Sequence, residues 1–131
     1  MIVQKNFAAI DIGSNAIRLL VSTITEKEGM ETSFRKTSLV RVPIRLGADV
    51  FLKQSISENN RDRMVDAMHA FSLLMKAHGV EKYKACATSA MREAKNADEV
   101  TEVIKKRTGI EIEIIDGSHE AAIIAATDLH A

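Results

Sequence analysis

The hydrophobic period of this chain changes partway along, and that change limits its fold more than any other feature. Before Pro43 the apolar residues come in short, β-branched runs: Phe7 to Ile12, Ile17 to Thr25, and Met30 to Val40. Gly13-Ser14-Asn15 and Gly29 break them, and both are turn material. Short separations of this kind predict two hairpins and an antiparallel meander. Pro43 and Arg45-Leu46-Gly47 read as a loop. Beyond it the period becomes helical. Met64, Met68, Phe71 and Met75 recur at spacings of four, three and four within Ser57 to His78, and Val65 and Leu74 widen the stripe. Arg61, Arg63, Asp66 and Lys76 fall on the other side. Gly79 then suits a left-handed C-cap.

The rest of the chain alternates between the two periods. Lys82 to Thr88 predicts a strand. Ala97 to Thr108 predicts a helix, with Asn96 as N-cap, Glu99 completing a capping box and Gly109 closing it. Ile110, Ile112 and Ile114 alternate with Glu111 and Glu113 as a strand does, and Ser118 to Leu129 is alanine- and isoleucine-rich, as a last helix would be. The order is β-β-β-α-β-α-β-α. Crossovers in the second half imply parallel pairing, so the expected α/β fold is a mixed five-stranded sheet with helices packed on it. That arrangement resembles the ribonuclease H-like fold, which also forms each lobe of actin, sugar kinases and heat-shock chaperone ATPases. A chain of 131 residues, 46% hydrophobic, is enough for one domain with one core.

Composition excludes several partners. Lysine plus arginine number 18, and so do aspartate plus glutamate, which leaves no basic footprint for nucleic acid or for a membrane surface. Four Phe, one Tyr and no Trp are poor material for stacking bases. The single Cys86 cannot make an internal disulfide, and no signal peptide or membrane-spanning run is evident, so a cytoplasmic home is expected.

Three strand ends carry residues suited to phosphate. At the first, Asp11 precedes Gly13-Ser14-Asn15. Gly13 can take a backbone conformation that clashes for other residues and lets the chain approach a ligand closely. Successive N–H groups can converge on an anion, with Ser14 and Asn15 adding side-chain donors. Asp11 repels phosphate, so it makes sense beside a divalent cation, and Mg2+ suits oxygen ligands with several retained waters. The same five residues also make an ordinary hairpin turn. At the second end stand Thr88, Ser89 and Arg92, whose guanidinium can fork onto phosphate oxygens or face solvent. Arg18 and Arg45 are weaker candidates, Arg18 as a strand residue facing solvent. At the third end, Asp116, Gly117, Ser118, His119 and Glu120 lead into a helix. Glu120 is either an ordinary first-turn glutamate or a general base for a water attacking a terminal phosphoryl group.

With these residues in order, the sequence resembles the Ppx/GppA phosphatase family, the exopolyphosphatases and guanosine pentaphosphate phosphohydrolases, over nearly its whole length. DIGSNAIRLLV is similar to the family's D-x-G-S-N-S-x-R/H-L, with Ala16 in place of the second serine. VRVPIRLG resembles its V-x-L-G region, ATSAMREAKN its A-T-S-A-x-R-x-A-x-N, and IEIIDGSHEAAII its I-x-x-I-S-G-x-x-E-A-x-L-I. The resemblance implies Asp11 near a metal, phosphate held by Gly13, Ser14, Asn15 and Arg92, and Glu120 as the catalytic base. It further implies Mg2+ as cofactor and polyphosphate or pppGpp as substrate. Family members continue into a second phosphate loop, so a further C-terminal lobe is expected to complete the site, and the 131 residues alone are expected to be inactive. A lobe without its partner can expose an apolar face and pair with a second copy. The competing readings are a kinase or ATPase of the actin-like superfamily and a non-catalytic alarmone-binding module. A ribonuclease H-like nuclease is disfavoured, because two-metal sites need more converging carboxylates.

Overall fold

The computed structural model describes residues 2–27, 29 and 33–115. The alternating runs of the first third become β1 (Ile2–Ile12), β2 (Ile17–Lys27) and β3 (Ser33–Val42). β1 is antiparallel to β2, and β2 to β3, as the short separations predict. Two parallel strands follow on the other side of β1, namely β4 (Val80–Ala87) and β5 (Ile112–Ile114), giving the sheet order β3-β2-β1-β4-β5. The mixed five-stranded sheet expected from the sequence is therefore present.

Between β3 and β4 run α1 (Leu46–Lys53) and α2 (Glu58–Ala77). The methionine stripe of α2 is core: Met64, Met68 and Phe71 are fully buried and Met75 nearly so. Each such side chain contributes about 1.5–3 kcal/mol when removed from water. They pack in one cluster with Ile10, Ile12, Ile17 and Leu19 from the sheet, and with Val100 and Ile104 from α4 (Ala97–Thr108). Ser57 caps α2 by accepting the Asn60 N–H at 3.2 Å. Gly79 (φ +65°) and Gly109 (φ +78°) take the left-handed conformation after α2 and α4.

Two local expectations need correcting. The stretch read as a loop at Arg45-Leu46-Gly47 opens α1, whose helical signal is weak for a physical reason. It is eight residues long with two buried positions, Leu46 and Val50, while Phe51 and Leu52 are 87% and 76% exposed and blur its pattern. Asn96 stands at the N-cap position of α4 but makes no side-chain cap. Its amide instead accepts from the Ile56 N–H and donates to the Ile56 carbonyl, both at 2.9 Å. This pair of bonds pins the α1–α2 connection to the start of α4. A short helix, α3 (Ser89–Glu93), also follows β4. The helix expected over Ser118 to Leu129 lies outside the described residues.

Candidate functional site

The register places three strand ends in one row. Ile12 of β1 is opposite Ala87 of β4, and Ala87 is opposite Ile114 of β5. All three strands point the same way, so their C-terminal ends lie on the same edge. In sheets of this kind that edge is where ligands bind.

Backbone and side-chain bonds lash these segments together. Thr88 donates its N–H and its hydroxyl to the Ile12 carbonyl, at 3.2 and 3.3 Å, and is itself buried. The Ile115 N–H donates to the Ala87 carbonyl at 3.0 Å. Ser14 Oγ and Ser89 Oγ lie 3.1 Å apart, a hydrogen bond joining the first segment to the second. Arg92, exposed on α3, donates to the Ile115 carbonyl and so reaches the third. One of its five N–H donors is engaged there, which leaves the fork available for an anion.

The turn after β1 works differently from a left-handed glycine turn. Gly13 is not among the glycines at positive φ. Its N–H donates to the Ala16 carbonyl at 3.0 Å, and a Cβ at Gly13 would sit 3.3 Å from that same oxygen. A side chain there would crowd that carbonyl unless it gave way by a few tenths of an ångström. The Gly13 N–H is committed inside the turn, and the Ser14 hydroxyl meets Ser89, so the exposed Asn15 is the side chain turned outward. Ala16 is buried and cannot offer the hydroxyl of the serine it replaces.

Sequence reasoning missed the role of Gly47. Its N–H donates to the Ser14 carbonyl at 2.8 Å, and a Cβ at Gly47 would lie 3.1 Å from Ser14 Cβ. The first turn of α1 therefore presses directly on the Gly-Ser-Asn turn. The RLG sequence was visible, but only the close backbone approach explains its glycine. Behind α1, Asp49 accepts from the Ser57 N–H, the Ser57 hydroxyl and the Asn60 amide, at 3.0, 2.8 and 2.7 Å. Partial burial pushes the Asp49 carboxyl up, but these bonds and the Lys53 charge outweigh it, so the group sits below its ordinary value.

Asp11 and Arg18 are register partners across β1 and β2, on the sheet face opposite Ile10 and Ile12. Arg18 does not simply face solvent: its guanidinium pairs with the Asp11 carboxylate at 2.5 Å. Cys86 lies beside Asp11 on β4, buried, with its thiol pushed up by that burial and therefore a poor nucleophile. Among the described residues no three His, Cys, Asp or Glu side chains gather to hold a metal. The lone Asp11 carboxylate does not fit an all-protein metal cage and could serve only a cation that keeps most of its ligands from elsewhere. Arg45 is exposed at the start of α1. Asp116, His119 and Glu120, read as base and neighbours, lie outside the described residues.

Residues 20–130 match the Ppx/GppA phosphatase family. Exopolyphosphatase 1 of Mycobacterium tuberculosis is 27% identical over 114 residues, covering 87% of this chain and 32% of its own length. A crystal structure of the Aquifex aeolicus Ppx/GppA family member superposes with a TM-score of 0.81 at 30% identity, covering 90% of this chain and 37% of that one. An exopolyphosphatase from Cytophaga hutchinsonii superposes at 0.78 and 28%, covering 90% and 36%. The chain spans about a third of the length of these relatives. The match over residues 20–130, most of the sequence, makes this chain a member of the Ppx/GppA phosphatase family.

Proposed function

We propose that this chain forms one wall of a site that hydrolyses the terminal phosphoryl group of a phosphate chain, either inorganic polyphosphate or pppGpp. The observation that carries the reading is the lashing of the three strand ends into one rim. The Ser14–Ser89 hydroxyl pair joins the segments after β1 and β4, and the Arg92–Ile115 bond ties the second of them to the end of β5. Exopolyphosphatases among the similar proteins support polyphosphate as the substrate class.

In this reading Ser14, Asn15 and Arg92 bind and orient phosphate oxygens, and Gly13 and Gly47 keep the turn close-packed so that its donors stay fixed. Asp11 holds Mg2+, which when bound neutralises charge on the phosphate chain. Glu120 takes the proton of the attacking water. A second lobe faces the rim and supplies the remaining phosphate contacts, in a reducing, cytoplasmic setting where Cys86 stays a thiol.

The test is phosphate release from polyphosphate and from pppGpp with Mg2+, using protein translated from the uninterrupted reading frame. Wild type should release phosphate, and Glu120→Gln should lose on the order of a hundredfold or more. Tight pppGpp binding with no release by wild type would replace this reading with that of an alarmone-binding module.

A further inference from the structure

Arg18 occupies the place where a cation would serve Asp11. Its guanidinium is within 2.5 Å of the carboxylate, and the pair is set by the register of β1 and β2 rather than by chance contact of loops. The two side chains are 49% and 31% exposed, so neither is locked by packing and both can change partner. On the far side of Arg18 in the same row stands Arg41 of β3, a like charge, which gives Arg18 no second acceptor. Among the described residues no other ion pair is made by Asp11.

A divalent cation arriving alone must displace Arg18 from Asp11. A phosphate arriving alone must pull Arg18 away and leave Asp11 facing an anion. When the two arrive together the pair is broken once for both, because Asp11 turns to the cation and Arg18 to the phosphate. Resting on the reading of Asp11 as the cation's carboxylate, we propose that the Asp11–Arg18 pair is a partner-exchange device. It holds the empty site neutral and makes cation and phosphate binding depend on each other. Arg18 acts as a positioning residue toward Asp11 and becomes a phosphate contact only after exchange. Such coupling is reciprocal by linkage, so removing either partner must strengthen the other's binding to its external ligand.

Mn2+ in place of Mg2+, followed by its paramagnetic resonance signal, reads cation binding without turnover. The protein from the uninterrupted reading frame would be compared with Arg18→Gln, Asp11→Asn and Arg41→Gln, each checked for native circular dichroism. Arg18→Gln should bind Mn2+ about three- to fivefold more tightly, the scale of one lost surface ion pair. Arg41→Gln removes the same charge from the same face but breaks no bond to Asp11, and should change affinity much less. Asp11→Asn should abolish the site. Equal affinity in wild type and Arg18→Gln, or an equal gain in Arg41→Gln, overturns the exchange while leaving Asp11 as a cation ligand. No Asp11-dependent Mn2+ binding in any variant overturns both. In the reverse direction, metal-free tripolyphosphate should bind Asp11→Asn more tightly than wild type, and the gain should vanish in Asp11→Asn/Arg18→Gln. A gain that survives in the double variant comes from relieved repulsion alone and overturns the exchange.

Discussion

The two ends of the sheet use glycine in opposite ways. At the end away from the rim, Gly29, Gly79 and Gly109 all sit at positive φ, and a Cβ on any of them would meet nothing within 4 Å. They are there for backbone conformation, turning the chain where space is plentiful. At the rim, Gly13 and Gly47 have ordinary φ, and an added Cβ would lie 3.3 and 3.1 Å from its nearest neighbour. They are there for proximity. The far end is tied through Asn6, whose amide donates to the His78 carbonyl and accepts from the Thr23 hydroxyl, and through Tyr83, whose hydroxyl donates to the Gly109 carbonyl and accepts from the Glu111 N–H. The rim is tied through the segments after β1 and β4, through Ile115 and through the first turn of α1. A fold of this type can tolerate slack where the chain merely reverses. It cannot do so where several segments must hold one ligand within fractions of an ångström.

The sharpest way to break this contrast is to place a side chain at each kind of glycine. In Gly47→Val the new atoms meet Ser14 backbone and Cβ, which have no flexible end to swing aside. Overpacking of that sort should cost about 3 kcal/mol in urea unfolding and should also weaken phosphate binding, because the Ser14 turn moves. Gly79→Ala should cost about 1 kcal/mol through left-handed strain and leave phosphate affinity unchanged. If both variants lose stability equally and both keep phosphate affinity, the distinction between proximity and conformation fails.

A smaller effect concerns the brace behind the rim. Asp49 ties α1 to the cap of α2, and its carboxyl lies below 3.8 when folded. A depressed folded value means that the stabilisation is present above the unfolded value and is lost as pH falls through the folded one. Asp49→Ala should therefore be less stable than wild type near pH 7, by no more than about 1 kcal/mol for a group that is only partly buried. The gap between their urea midpoints should close as pH falls through the lowered folded value of Asp49. A gap independent of pH would assign the loss to packing of α1 rather than to the ionised brace.

What the sequence revealed follows the same division. Strands, the long helix and the left-handed glycines were legible because each depends on local period or on one residue's backbone freedom. Met64, Met68 and Phe71 announced their face by spacing alone. Phosphate-suited residues at three strand ends were legible as types, since Ser14, Thr88, Ser89 and Arg92 stand where strands stop. Their mutual bonds were not, because the Ser14–Ser89 pair spans 75 positions and depends on strand register. Asn96 looked like a cap because asparagine at that spot usually is one. Its amide was claimed by Ile56, 40 positions away, and nothing local records that. Gly47 was hidden for the same reason: a glycine needed for proximity is recognised only when its neighbour is known.

The least effect expected is also the most specific to the rim. Ser14 and Ser89 share one hydroxyl–hydroxyl bond at 3.1 Å, partly buried, between the turn after β1 and the start of α3. Either serine replaced by alanine leaves the other hydroxyl able to turn toward water, so each single change should cost little. Their coupling in a double-mutant cycle on unfolding should be about 0.5–1 kcal/mol, the net worth of an ordinary hydrogen bond. The same cycle run on phosphate affinity separates two roles for that bond. If the hydroxyls serve only to hold the segments together, the coupling seen in binding should be no larger than that seen in stability. If both donate to one phosphate, each single alanine should weaken binding by itself, and binding should fall more than stability does. The pair then acts as a preset anion seat whose two donors satisfy each other until a ligand arrives.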